Sequence, residues 1–237
     1  MGDMTRHEFL AELHRRLQPK TYLEVGVQSG ASLVLAEAAD LAIGIDPIGA
    51  REFLPANARN NQRIGAGTAD QFFSQADRNV SLLPDRELQV DFAFIDGMHL
   101  FEYALRDFMN IERYCRGGSV VVFDDVLPRN QHEARRLEPG TPILGDWTGD
   151  VWKVAPVLEA HHTSPHLYLR LVDTQPTGVF VVTGFPNAHH PWTIDDNVVE
   201  QWSTDMPVPD DVLNRTKAWT PDRALDQIEE EIKTWRS

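Results

Sequence analysis

The period of the hydrophobic positions changes along the chain, and that change predicts the fold. Phe9, Leu10, Leu13 and Leu17 recur at helical spacing before Pro19, which predicts an N-terminal helix over 5–17. Short runs rich in Val, Ile and Phe follow at 22–25, 41–45, 90–95, 119–123, 167–172 and 179–182. Runs without polar alternation are the pattern of strands buried on both faces, and the first of them alternate with helical stretches at 31–39 and 101–115. In the second stretch Phe101, Leu105, Phe108, Ile111 and Tyr114 share one face before Gly117-Gly118 ends it. The chain is therefore expected to form an α/β doubly wound, mostly parallel sheet.

The last two runs are separated only by 173–178, which contains Pro176 and Gly178. That span is too short for a crossover helix and suits a hairpin, so the sheet should finish antiparallel. Beyond Gly184 the chain turns polar and proline-rich, then forms a helix with Thr220 as N-cap, Pro221 in the first turn and a stripe of Leu225, Ile228, Ile232 and Trp235. The expected organisation is an N-terminal helix (1–19), a sheet domain (20–184) and a C-terminal extension (185–237) that packs on the domain or covers the acceptor site. Four tryptophans fall in that extension. Trp219 and Trp235 are expected to pack, while Trp192 and Trp202 suit either packing or a lid.

Charge narrows the partners. With 36 acidic against 22 basic residues the chain carries a formal charge of −14, which disfavours a polyanionic nucleic-acid partner. No apolar stretch is long enough to span a bilayer, and the single Cys115 allows no intrachain disulfide, so a cytoplasmic setting without membrane attachment is expected. Cys115 reads as a buried small side chain. A homo-oligomer is left open.

Candidate chemistry gathers at the predicted strand ends. The first strand runs into Leu23-Glu24-Val25-Gly26-Val27-Gln28-Ser29-Gly30-Ala31-Ser32, a glycine turn of the kind that lets a backbone approach a ligand. Gln28 and Ala31 break the dinucleotide fingerprint, which argues against a nicotinamide oxidoreductase. Glu24 suits a ligand with a cationic or amine-bearing end, and Asp46, 20 residues after Gly26, suits the two hydroxyls of an adenosine ribose. Gly26, Gly30 and Ser32 complete this candidate cofactor turn.

Taken together, Glu24, the G-x-x-x-G turn, Asp46 and the terminal hairpin resemble the class I S-adenosylmethionine-dependent methyltransferases, over about residues 20–184. The segment from Gly65 to Phe73, with Thr68 and Asp70, resembles that family's adenine-side loop, and Asp70 also fits a simple helix cap. Phe94-Ile95-Asp96-Gly97-Met98-His99 at the fourth strand end is answered by Val122-Phe123-Asp124-Asp125 at the fifth. Three carboxylates converging on one edge repel unless a cation or protons compensate, and hard oxygen donors suit Mg²⁺ or another divalent cation. The alternative is that Asp124 and Asp125 cap turns. The phrases IDGMHLFEYALRDF and GGSVVVFDDV are similar to methyltransferase family 24 and to metal-dependent small-molecule O-methyltransferases. That resemblance implies S-adenosylmethionine as cofactor, Asp96 near both cofactor and metal, and Asp96, Asp124 and Asp125 as metal ligands. It places His99 where catechol-type relatives carry a catalytic Lys; a base and a structural hydrogen-bonding role both fit. Its implied acceptor is a hydroxyl on a small molecule such as a sugar, a glycoside or another secondary metabolite. A metal-independent O- or N-methyltransferase and a non-catalytic binding protein remain as alternatives.

Farther along, Gly145-Asp146-Trp147-Thr148-Gly149-Asp150-Val151-Trp152-Lys153 suits either an acceptor-pocket wall or a helix start with Asp150 capping and Trp152 packed beneath. The pairs His161-His162 and His189-His190 lack metal-ligand spacing and read as surface or lid residues.

Overall fold

The computed structural model describes residues 4–47, 61–75, 88–138, 140–164, 166–186 and 192–236. Its centre is a seven-stranded sheet in the order β3-β2-β1-β4-β5-β7-β6. The parallel strands are β1 (Thr21–Val25), β2 (Leu41–Asp46), β3 (Gln62–Ala66), β4 (Phe92–Ile95) and β5 (Val120–Phe123). The hairpin of β6 (Tyr168–Val172) and β7 (Val179–Thr183) closes the sheet, with β7 antiparallel to both β5 and β6. The His189-His190 pair lies outside the described residues.

Helices cover both faces. On one side α2 (Ala69–Gln75), α3 (Phe101–Glu112) and α4 (Val154–His161) bury a core that contains Ile45, Ile95, Phe108, Phe123 and Phe180. On the other, α1 (Arg6–Leu17) and α7 (Pro221–Arg236) pack Phe9, Leu13, Leu225 and Ile228 against Tyr22, Phe92, Val122 and Val181. The short helices α5 (Asp196–Trp202) and α6 (Asp210–Leu213) carry the chain between β7 and α7. None of the described helices is long and apolar enough to cross a membrane.

Strand register decides where chemistry can gather. Val25 pairs with Ile45 and with Ile95, and Ile95 pairs with Phe123, so these strands end level with one another. The residues that follow them meet at a single edge, as an open parallel sheet requires.

Four expectations are corrected. Segment 31–39 is not a regular helix; only Leu33–Leu35 forms a single 3₁₀ turn. The Asn61 amide donates to the carbonyl of Ala36, the Gln62 amide to that of Leu33, and Asn61 also reaches Ala39. Side chains at the start of β3 thus take carbonyls that an α-helix would use internally. Trp235 is 39% exposed and does not pack, whereas Trp219 lies against the α1/α7 core with Arg223 stacked 3.6 Å above its ring. Trp192 and Trp202 join the opposite core, Trp192 donating to the His161 carbonyl at 3.1 Å and Trp202 packing against Phe101, so neither forms a lid. The His162 side chain is buried against Glu112 at 2.7 Å, not at the surface.

Because Ile228 is fully buried between α1 and the sheet, Ile228→Ala should cost about 2–5 kcal/mol through lost burial and a residual cavity. Urea unfolding should show this as one cooperative transition at a lower midpoint. A separate early transition for the C-terminal extension would show that α7 is not part of the core.

Candidate functional site

The level strand ends open into a cavity of about 760 Å³. Gly26, Asp46, Thr68, Asp70, Asp96, His99 and Asp125 line it, as do Gln28, Tyr103 and Asp107. Its far wall is supplied by Arg129, Glu133, Ile143 and the run Gly145–Thr148, and its back by Pro176 and Thr177 from the β6–β7 loop. Of the residues singled out from sequence, Glu24, Gly30, Ser32 and Asp124 do not reach the cavity wall.

The glycine turn is held by Asp46. Its Oδ2 accepts the amides of Val27 and Gln28 at 3.1 and 3.0 Å, fixing the loop after β1 against the end of β2. Gly26 has φ of +85°, and a Cβ there would stand 2.0 Å from the Asp96 carbonyl oxygen. Only glycine lets β1 and β4 approach so closely. Glu24 is fully buried one layer below, accepting from the Tyr22 hydroxyl and from Ser32 Oγ, each at 2.7 Å. Burial pushes its carboxyl up to about 8, against the pull of those two donors. At the mouth of β3 the N-terminal cap of α2 is Thr68, whose Oγ1 accepts from Gln71 while Gln71 answers the Thr68 amide. Asp70, expected as a cap, instead meets Arg106 at 3.1 Å.

The carboxylates at β4 and β5 divide between two counter-charges. Successive residues leave a strand on opposite faces. Asp124 accordingly turns to the α1 side, where Arg6 makes an ion pair with it and stands 3.7 Å from Asp96. Asp125, in a left-handed conformation, turns to the other side, accepts from Thr177 Oγ1 at 2.6 Å and meets His99 Nδ1 at 3.0 Å. His99 Nε2 lies 3.3 Å from Asp96. The expected carboxylate trio is thus replaced by Asp96, His99 and Asp125, whose candidate ligand atoms all lie within 4.8 Å of one another. Burial works against a charged His99, but hydrogen bonds and charges from Asp125 and Asp96 outweigh it and push the imidazole up to about 10. Asp125 is correspondingly held below the usual carboxylate range, burial notwithstanding.

The run from Gly145 to Lys153 splits between the two roles expected of it. Gly145–Thr148 line the cavity, and Trp147 stacks on His99 with ring centroids 5.2 Å apart. The remainder is structural. Asp150 caps α3 rather than its own helix, taking the Phe101 amide at 2.7 Å, and it binds the fully buried Lys153 at 2.7 Å and Arg136 at 2.9 Å. Cys115 is buried, and burial pushes its thiol far up, so it stays protonated. Arg6, Thr177 and Asp107 went unnoticed in the sequence. The first two sit in no motif, but Asp107 left a signal as a carboxylate that falls, with Glu112, among the buried and mainly apolar positions of α3.

A sequence profile described as a methyltransferase domain, of methyltransferase family 24, matches residues 23–126, the segment that runs from β1 to the end of the Asp124-Asp125 turn. That match covers 104 of the 237 residues, and over it the chain is similar to methyltransferase domains. Solved methyltransferase structures share the fold at low sequence identity. The O-methyltransferase of Bacillus cereus, in complex with SAH, is 18% identical with a TM-score of 0.54, covering 75% of this chain and 79% of that one. TomG of Streptomyces achromogenes, an O-methyltransferase involved in tomaymycin synthesis and in complex with SAM, is 20% identical with a TM-score of 0.54, covering 76% and 79%. The SAH-bound methyltransferase PaMTH1 of Podospora anserina is 16% identical with a TM-score of 0.54, covering 76% and 77%. No curated protein matches the sequence.

Two consequences of this geometry can be measured. Gly26→Ala adds a clash with the Asp96 backbone to a positive φ, and should weaken S-adenosylhomocysteine binding by about tenfold or more in calorimetry while the protein stays folded by circular dichroism. Glu24, raised from 4.5 to about 8 in the fold, keeps a proton that the unfolded chain loses, so its contribution to stability falls as pH rises through that window. Glu24→Gln should therefore gain stability relative to the natural protein between pH 5 and pH 8.5. Parallel stability curves for the two proteins would contradict the assignment.

Proposed function

We propose that this protein is a methyltransferase that transfers the methyl group of S-adenosylmethionine to a hydroxyl of a small molecule, with a divalent cation at Asp96, His99 and Asp125. The observation that carries the reading is the convergence of those three side chains within 4.8 Å at the cavity that Asp46 and the Gly26 turn also line. Two carboxylates and an imidazole make an oxygen- and nitrogen-rich donor set that suits Mg²⁺, Mn²⁺ or a related ion. Asp124 takes no part in that set, because Arg6 engages it.

In this reading Asp46 receives the ribose hydroxyls and the Gly26 turn lies against the methionine portion of the cofactor. A bound divalent cation would lower the pKa of the acceptor hydroxyl and orient its oxygen. Trp147 fixes the plane of the His99 ring, and Thr177 fixes Asp125. In this reading His99 is neutral and would give a ring nitrogen to the cation, so it holds the metal rather than taking the hydroxyl proton. Trp147, Ile143 and Pro176 exclude water from the acceptor side, while Arg129 and Glu133 offer hydrogen bonds to a hydroxylated acceptor such as a sugar, glycoside or other secondary metabolite. The resemblance of fold to O-methyltransferases supports oxygen as the nucleophile, and the net charge supports a small molecule over a nucleic acid.

A second reading rests on Arg6. The Arg6 guanidinium and a charged His99 supply two positive charges among Asp96, Asp124 and Asp125, an arrangement able to support methyl transfer without a metal. Chelation separates the two. Treatment with EDTA should abolish methyl transfer from labelled S-adenosylmethionine to a hydroxylated acceptor, and Mg²⁺ or Mn²⁺ should restore it. Turnover unaffected by EDTA would favour the metal-free reading.

A further inference from the structure

Two residues with a left-handed backbone and a side chain to strain it, Asp125 at φ of +61° and Arg215 at φ of +54°, both grip the β6–β7 loop. Such a conformation is costly for any residue but glycine, and it persists only where the surroundings over-determine it. Asp125 is also buried, so whatever holds it there sets the geometry of the candidate site.

The holding contacts come from outside β5. Thr177 Oγ1 donates to Asp125 Oδ1 at 2.6 Å, and the Leu127 amide donates to the Thr177 carbonyl at 2.6 Å. The turn after β5 is thus stitched to the loop through side chain and backbone together. Gly178 closes the seam, since a Cβ there would stand 2.4 Å from the Leu127 side chain. Behind this seam lies Arg215, in the connection between α6 and α7. Its Nη2 donates to the Leu127 carbonyl at 3.1 Å and to the Pro176 carbonyl, while its Nη1 donates to the Thr174 carbonyl at 3.4 Å and pairs with Asp173. One guanidinium therefore clamps the two segments that carry Asp125 and Thr177. A lysine ammonium, a compact point charge on a flexible stem, does not reproduce that fork.

We propose that Arg215 is a positioning residue for the metal centre: by clamping Leu127 and Pro176 it keeps Asp125 in the orientation that presents its carboxylate to a divalent cation beside His99. The inference rests on the metal reading proposed above, and it extends the site to a residue of the C-terminal extension that does not line the cavity. Loss of the groups that orient metal ligands weakens metal binding by about 10–100-fold. Arg215 acts through Thr177 and the backbone, which puts its effect at the lower end of that range. The Gly26 turn and Asp46 belong to β1 and β2, on the other side of β4 from β5, and share none of these contacts. Cofactor affinity is therefore an internal control.

Mn²⁺ titration followed by electron paramagnetic resonance tests this, alongside calorimetric titration of the metal-free protein with S-adenosylhomocysteine. Arg215→Ala should bind Mn²⁺ about tenfold more weakly than the natural protein, equivalent to about 1.4 kcal/mol, with unchanged affinity for S-adenosylhomocysteine. Arg215→Lys keeps a charge beside Asp173 but not the fork; it should show the same weakening, and it provides the readout should the alanine protein not fold. In a Thr177→Val background, where the link to Asp125 is already cut, Arg215→Lys should cost less than it does alone. Unchanged Mn²⁺ affinity in the Arg215 variants, an equal loss of affinity for both ligands, or full additivity with Thr177→Val would each overturn the positioning role while leaving the metal reading intact. No Mn²⁺ binding by the natural protein would overturn the metal reading, and this inference with it.

Discussion

Charge compensation at one sheet edge is the constraint on which the rest of this structure depends. Level parallel strands bring Asp96, Asp124 and Asp125 together, and anions this close and this buried cannot coexist unbalanced. The chain answers with two cations from outside the sheet, Arg6 at the start of α1 and His99 in the turn before α3. Neither cation works unless its element is held to within hydrogen-bonding distance. Much of the remaining architecture does that holding.

Arg6 is fixed twice. A capping box of Thr5 and Glu8 sets the first turn of α1, and the Arg6 amide donates to the Gln175 carbonyl in the β6–β7 loop at 3.0 Å. The same loop sends Thr177 to Asp125 and is tied in turn by Arg215, which reaches Asp173 and the carbonyls of Leu127 and Pro176. His99 is fixed from the other side. Asp150 donates its amide to the His99 carbonyl at 3.2 Å, and Gly149 passes so close that a Cβ there would lie 1.6 Å from that oxygen. Asp150 itself is anchored by buried Lys153 and by Arg136, so a salt-bridged interior segment sets the placement of the imidazole.

The strands, the closing hairpin and the carboxylates at their ends were legible in the sequence because each rests on local facts: unbroken apolar runs, a connection too short for a crossover, and Asp at matching strand termini. What local patterns missed was orientation. Adjacent residues leave a strand on opposite faces, so Asp124 and Asp125 cannot turn alike, yet side by side in the sequence they read as one ligand pair. Segment 31–39 has the composition of a helix, and amides from Asn61 and Gln62, distant in sequence, override it. Arg6 and Thr177 carry no motif because their roles arise from tertiary contacts. Asp107 was different: a carboxylate among mainly apolar helical positions is visible in the sequence alone.

The segment that matches the methyltransferase profile, 23–126, contains every carboxylate of the edge but only one of its two counter-charges. Arg6 lies before it, while Trp147, Thr177 and the Asp150–Lys153 pair lie after it. Removing the flanks would leave Asp124 buried without Arg6, Asp125 without the Thr177 hydroxyl, and α3 without the acceptor for its first amide. Each loss strands a buried polar group, and a broken buried ion pair alone costs about 3–5 kcal/mol, a large share of the about 5–15 kcal/mol by which a native domain is stable. The flanking elements therefore complete this segment electrostatically, and the site exists only when both ends of the chain are folded onto the sheet.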